Sequence, residues 1–162
     1  MEQQSIQKNL QEKFQNELVS FDETSDMLTF TVDKQFIVPV IQFLKEDLEF
    51  KFLTDLCGIH YPDQALPLGV IYHLHNFKTN TRIRVKTFTS IEQPEIDSMT
   101  TLFSSANWME RETFDFFGIV FIGHPNLIRI LNVEYMDYFP MRKEYPLEDQ
   151  TRKDKDDSFF GR

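Results

Sequence analysis

Residues 69–89 read GVIYHLHNFKTNTRIRVKTFT, and the fold class turns on them. Gly69 to Phe77 and Thr81 to Thr89 have the character of two strands, and Lys78-Thr79-Asn80 is the short polar break that joins them in a hairpin. In the second strand Ile83, Val85 and Thr87 alternate with Arg82, Arg84 and Lys86, so apolar residues fall on one face and basic ones on the other. The basic stripe reads first as the solvent side of a two-faced strand, and second as a dock for an acidic partner.

Working outward, Ile6, Leu10, Phe14 and Leu18 recur at four-residue spacing, which predicts an amphipathic helix over 3–18. Leu18 to Phe21 and Met27 to Val32 flank the turn-rich run Asp22-Glu23-Thr24-Ser25-Asp26 and predict a second hairpin. Asp33 is the expected N-cap of a helix running through Leu48, with Pro39 lying in its first turns or marking a shifted start. Leu53 to His60 reads as a transitional segment. Strands paired in hairpins with helices before and after them imply an α+β fold: one domain over residues 1–147, with a mainly antiparallel or mixed sheet, flanking helices and an extended C-terminal tail. The regular strand–helix alternation of a nucleotide-binding sheet is missing, and with 5 glycines no phosphate loop is written into the chain.

At 162 residues the chain is long enough to bury one substantial core. Its 17 Lys and Arg against 26 Asp and Glu give a net charge of −9, which opposes binding to nucleic acid or to an anionic membrane surface. The single Cys57 excludes an intrachain disulfide and a four-cysteine cluster held by this chain, and fits a reducing compartment. No apolar run approaches the roughly 18 to 20 residues of a spanning helix, and the Met-Glu-Gln-Gln start has no signal-peptide pattern, so any membrane association is expected to be indirect. Residues 148–162, EDQTRKDKDDSFFGR, are expected to be mobile in the free chain and tied down by Phe159-Phe160 on assembly.

The densest chemistry lies between Trp108 and Leu147, where Gly118, Gly123-His124-Pro125 and Tyr145-Pro146 divide a helix, a strand-like segment and an extended tail. On a helix starting near residues 104–107, Trp108, Arg111, Glu112 and Asp115 are three or four apart and share a face. They form either a solvated cluster of ion pairs or, bordered by Trp108, Phe114 and Phe117, an interface for a basic surface. Glu110 and Glu112 point about 200° apart on a helix, which makes poor geometry for an acid–base pair. Gly123-His124-Pro125 reads as a turn. Arg142 and Lys143, between Pro140 and Pro146, lie on a proline-stiffened strip with Tyr145 that is shaped to lie along another protein. His73 and His75, two apart on a strand, could be joined by His60 as a metal-site inventory; the same pattern is also common without metal. Of the 17 Phe, clusters such as Phe114-Phe116-Phe117 look too crowded to bury on one side and are expected to dock in part on a partner.

Three runs in this stretch carry a family resemblance. ERE-x-x-D-x-x-G (Glu110, Arg111, Glu112, Asp115, Gly118), F-x-G-H-P (Phe121, Gly123, His124, Pro125) and P-x-R-K-x-Y-P-L (Pro140, Arg142, Lys143, Tyr145, Pro146, Leu147) resemble the signature of the 30 kDa-type subunit of respiratory complex I, the C-subunit of the bacterial enzyme. The similarity extends over roughly residues 6–147, with one departure: the family usually has Gly just before P-x-R-K, where this chain has Tyr138-Phe139. The resemblance implies a non-catalytic peripheral-arm subunit of proton-translocating NADH:quinone oxidoreductase, packed against the 49 kDa-type subunit near the quinone site. FMN, iron–sulfur clusters and quinone would then reside on other subunits, and the chain would sit peripherally on the cytoplasmic side of the bacterial inner membrane. It further implies a partner interface drawn from Trp108, Glu110, Arg111, Glu112, Asp115, His124, Arg142, Lys143 and Tyr145. The alternatives are the equivalent scaffold of a complex I-like hydrogenase or of a dehydrogenase with another donor, and a free-standing enzyme using a metal on His60, His73 and His75.

Overall fold

The computed structural model describes residues 3–14, 18–22 and 27–146. The charged segment 148–162 and the hairpin residues 23–26 singled out in the sequence lie outside the described residues. In chain order the elements are α1 (Gln3–Lys13), β1 (Leu18–Asp22), β2 (Leu28–Val32), α2 (Ile37–Glu46), β3 (Phe52–His60), β4 (Leu68–Asn76), β5 (Thr81–Thr89), β6 (Glu95–Asp97), α3 (Ala106–Phe117) and β7 (Val120–Ile122).

Five strands form a mixed sheet in the order β1-β2-β5-β4-β3, antiparallel throughout except for the parallel β2–β5 pair. The expected α+β class is what the chain adopts. The β4–β5 hairpin forms with Asn76 opposite Thr81. Asn76 makes this turn locally: its side-chain carbonyl accepts the Lys78 and Thr79 amides at 2.9 and 3.2 Å, and its amide nitrogen donates to the Leu48 carbonyl at 3.0 Å. Asn80, at φ 50°, is a residue type that tolerates the left-handed region and closes the loop.

One face of the sheet carries the core. Ile83, Val85 and Thr87 of β5 turn inward beside Val70, Tyr72 and Leu74 of β4, and onto them pack Ile6, Leu10 and Phe14 near α1 and Ile37, Val40, Ile41 and Leu44 of α2. On the other face Arg82 is exposed and Arg84 and Lys86 are half-buried, as the alternation requires. A second, two-stranded parallel sheet joins β6 to β7, with α3 as the crossover between them.

Three expectations are corrected. α1 ends at Lys13 rather than Leu18, which instead opens β1 opposite Val32. α2 starts at Ile37: Asp33 caps a preceding turn by accepting the Gln35 amide at 2.9 Å, and Pro39 is the third helical residue, where its missing N–H has no helical acceptor to lose. The supposed transitional segment is the nine-residue strand β3, broken in register between Leu53 and Asp55 and regular from there to His60. No helix among the described residues is long and apolar enough to cross a membrane.

Candidate functional site

α3 is the hub of the signature, and it is bounded by backbone chemistry. Gly118 ends it in the left-handed conformation (φ 73°), its N–H bonding to the Phe114 carbonyl at 2.8 Å. Any side chain at Gly118 would meet the Phe139 ring as well as strained backbone. The last helical carbonyls are also satisfied: Phe116 accepts from the Met141 amide at 3.1 Å and Phe117 from Arg142 Nε at 2.7 Å.

The helix does not present its charged residues together. Glu110 has no exposed surface and holds the chain before the helix: Oε1 accepts the Met99 amide at 2.6 Å and Oε2 the Ser98 hydroxyl at 2.7 Å. Burial pushes its pKa up to about 7, against the opposing pull of those two bonds. Asp115, equally buried, holds the chain after the helix. Its Oδ2 accepts the backbone amides of Ile130, Leu131 and Asn132 at 3.1, 2.8 and 2.9 Å, and Oδ1 accepts Arg129 Nη1 at 2.8 Å. Burial alone would raise its pKa, but the Asn132 and Leu131 amides, Arg129 and the Ile130 amide outweigh it and hold the carboxyl well below the usual range.

Arg129 completes this clamp. Nη1 also donates to the Asp115 carbonyl at 3.0 Å, Nη2 donates to the Met136 carbonyl at 2.9 Å, and the guanidinium lies 5.1 Å from the Phe139 ring centroid. Arg111 works one turn away, donating to the carbonyls of Ile128 and Arg129 at 3.0 and 3.1 Å beneath Trp108. His124 bridges the turn to the helix: Nε2 lies 3.0 Å from the Asn107 carbonyl and Nδ1 accepts the Asn126 amide at 3.0 Å. Residues 126–146 form no regular structure of their own, yet are bound down along their length.

The expected interface set therefore divides. Glu110, Asp115 and Arg111 are buried and bonded within the chain, where each has the partners its burial demands. The Trp108–Arg111–Glu112–Asp115 cluster does not assemble: Asp115 pairs with Arg129, while Glu112 faces out. Arg142 is also anchored, by Phe117 and by stacking 4.7 Å from Phe139, and only 11% of its side chain is exposed. His124 is half-buried in its turn, whereas Trp108, Glu112, Lys143 and Tyr145 remain open. Of the crowded phenylalanines, Phe114 meets Phe139 edge-on and Phe117 covers Gly58.

The histidine inventory also comes apart. His60 lies on the core face of the sheet opposite Leu68, while His73 and His75 lie on the other face. His60 Nδ1 accepts the Lys143 amide at 2.9 Å, His73 Nε2 accepts Arg84 Nε at 2.9 Å, and His75 stands 3.2 Å from Asn80 Oδ1.

Sequence reasoning missed Arg129, Ser98, Phe139 and the role of His60. The readable signal was Arg129 alone within the apolar run Leu127-Ile128-Arg129-Ile130-Leu131, since a charge there must find a partner or leave the core. The Tyr138-Phe139 departure has a physical account as well. Neither residue has positive φ, so this turn needs no glycine, and the Phe139 ring fills the space over Gly118.

The segment the clamps hold displays large apolar side chains interleaved with the exposed charges Glu134, Asp137, Lys143 and Glu144. Leu131, Val133, Tyr135, Tyr138, Met141 and Tyr145 are all exposed, with Tyr135 88% open, and Trp108 of α3 is 63% exposed. Such a concentration on a segment fixed by buried bonds is the make-up of a preorganised docking surface.

Residues 30–151 match the family described as "Respiratory-chain NADH dehydrogenase, 30 Kd subunit". The chain is 42% identical over 144 residues to the NADH-quinone oxidoreductase C-subunit of Citrifermentans bemidjiense, covering 89% of each chain. It is 41% identical over 122 residues to the C-subunit of Hyphomonas neptunium, covering 74% of this chain and 60% of that relative's length. Among solved structures, a trypsin-resistant fragment (1-134) of Nqo5 superposes with a TM-score of 0.67 at 28% identity, covering 75% of this chain and 98% of the fragment.

Proposed function

The chain belongs to the 30 kDa subunit family of the respiratory-chain NADH dehydrogenase, and on that premise we propose that it is a non-catalytic peripheral-arm subunit that packs on the large 49 kDa-type subunit and supports the region of the quinone site. The supporting observation is the exposed apolar strip from Leu131 to Tyr145, held in shape by the Asp115–Arg129 clamp. A surface ordered before binding loses little entropy on docking, which suits a part that fixes other subunits in place. In this reading iron–sulfur clusters are carried by other subunits, because one cysteine cannot furnish a cluster's four thiolates, and FMN and quinone are placed on other subunits by the family reading alone. The assembly oxidises NADH with quinone and moves protons, and this chain reaches the cytoplasmic face of the inner membrane through its partners.

The experiment is affinity purification of the tagged chain from native membranes, with quinone reductase activity and partner identity as readouts. Co-purification of the large subunit with activity is expected, and Leu131→Asp with Tyr135→Asp should release both. A chain recovered free of the large subunit would overturn the proposal.

A further inference from the structure

We propose that the face of the five-stranded sheet turned away from the core receives a helix of a neighbouring subunit, one that sets aspartates or glutamates between two apolar ends. The inference rests on the chain being a subunit of a larger assembly, and it assigns a contact separate from the apolar strip of residues 131–145.

All three helices lie on one side of this sheet. α1 and α2 pack into the core, and so does α3, because Phe117 covers Gly58, whose cross-strand neighbour Val70 faces the core. No element of the described residues is laid over the opposite face, and its side chains stay open: Phe52 is 46% exposed, Arg82 is exposed, and Arg84, Lys86 and Phe88 are half-buried. One face of such a sheet can meet water when it is polar. This one ends in rings. The register sets Phe52, His75 and Arg82 side by side, and the Phe77 ring, 66% exposed, stands 5.1 Å from that of Phe52. At the other end Phe88 lies against Gly69, where a Cβ would strike the ring, with Tyr61 6.2 Å away. At about 3.3 Å per residue, the distance from Arg82 to Phe88 puts the two aromatic ends roughly 20 Å apart.

Charge and backbone together specify the occupant. Arg82, Arg84 and Lys86 form a basic column between the rings, in a chain whose net charge is −9. Arg84 donates Nε to the His73 ring at 2.9 Å, and neither Arg82 nor Arg84 makes an ion pair among the described residues. The one carboxylate in β3, β4 and β5 is Asp55, which lies 3.3 Å from the His73 ring. Such a column attracts carboxylates and fixes their register, while exposed rings are the anchors that dominate interfaces. The backbone disfavours a strand here, since β4 and β5 are paired on both sides and the face offers side chains alone. A helix satisfies its own backbone and lies along a sheet as the next layer. At about 1.5 Å per residue, about 13 helical residues reach from one aromatic end to the other. A second copy of this chain is disfavoured, because like faces would bring two basic columns together.

Hydroxyl-radical footprinting of the full chain, alone and within the complex purified from native membranes, tests the idea. Phe52 and Phe77 should be oxidised several-fold more slowly in the complex. In Arg82→Lys, which keeps the charge and adds an amine, a zero-length carbodiimide should join that amine to an aspartate or glutamate of another subunit. Arg82→Glu with Phe77→Ser should cut incorporation by about tenfold or more at unchanged melting temperature, as expected when a desolvated charged contact is lost. Lys8→Glu, the same charge reversal on exposed α1, should leave incorporation unchanged. If the wild-type chain sits in the complex with Tyr135 protected while Phe52 and Phe77 are oxidised as fast as in the free chain, the sheet face is bare there: the proposal falls and the subunit reading stands. Carbodiimide products confined to this chain, normal incorporation of the double variant, or protection reproduced by phosphatidylglycerol vesicles in place of a subunit would each refute the acidic helix. A chain that never enters the complex removes both readings together.

Discussion

Glu110 and Asp115 sit five residues apart on α3, both with no exposed surface, yet their surroundings drive their acidities in opposite directions. Five helical residues turn the side chain by about 140°, so one carboxylate reaches the segment before the helix and the other the segment after it. Glu110 has two donors and no cation; Asp115 has three amides and a guanidinium. Burial of a carboxylate is therefore not one physical condition. The number and charge of its donors decide whether it stabilises the fold as an anion or is held at a cost.

The largest effect expected from breaking this contrast is at Asp115. Asp115→Asn removes the charge facing Arg129 and turns an N–H donor toward groups that are all donors. Leaving one half of a buried pair uncompensated costs about 3 to 5 kcal/mol, so denaturant unfolding of the purified chain should show a loss of that size. A loss under about 1 kcal/mol would mean that residues 126–139 hold without the clamp.

Glu110 should behave in the opposite sense. Its folded pKa of about 7 lies above the ordinary 4.5, so its contribution is fully present below about pH 4.5 and is lost as pH rises through 7. Asp115, with a depressed pKa, adds stability that is present above the ordinary carboxylate range and lost only in stronger acid. Glu110→Gln keeps the acceptor for Met99 and cannot ionise. It should match the parent near pH 4.5 and exceed it above pH 7 by on the order of 3 kcal/mol. Parallel melting curves for the two proteins from pH 4.5 to 8 would contradict this.

A third effect, smaller again, separates Arg142 from the exposed strip it was expected to share. Arg142→Ala removes a charged hydrogen bond from a helix C-terminus and a stacked guanidinium over Phe139. A destabilisation of about 1.5 to 3 kcal/mol is expected for a bond of that kind, measurable as a lowered unfolding midpoint.

These contrasts also show what the sequence could and could not reveal. The β4–β5 hairpin was legible because each strand keeps a two-residue period and Asn76 builds its turn from neighbouring amides. β3 was not, because the irregularity at Leu53/Asp55 shifts its alternation by one residue and its open face mixes Phe52, Asp55, Cys57 and Ile59. At the site, residue types were legible but partners were not. Helical spacing pairs Arg111 with Asp115 locally, whereas the chain pairs Asp115 with Arg129 and three amides of an irregular segment, donors that no periodicity announces.

The smallest expected effect on the fold is at Lys143, and it sharpens the division between clamp and display. The Lys143 backbone amide donates to His60 Nδ1 at 2.9 Å, a bond that does not depend on the side chain, while the side chain itself is exposed. Lys143→Ala should therefore leave the unfolding free energy within about 0.5 kcal/mol of the parent. Assembly can still respond, since removing a charge from a desolvated contact costs about 2 kcal/mol or more, enough to weaken association more than tenfold. The variant is expected to melt normally and to appear in less assembled complex, with unchanged quinone reductase turnover per complex. Full assembly with collapsed turnover would place Lys143 in the chemistry or coupling of the complex, and a lowered melting point would return it to the clamp beside Arg142.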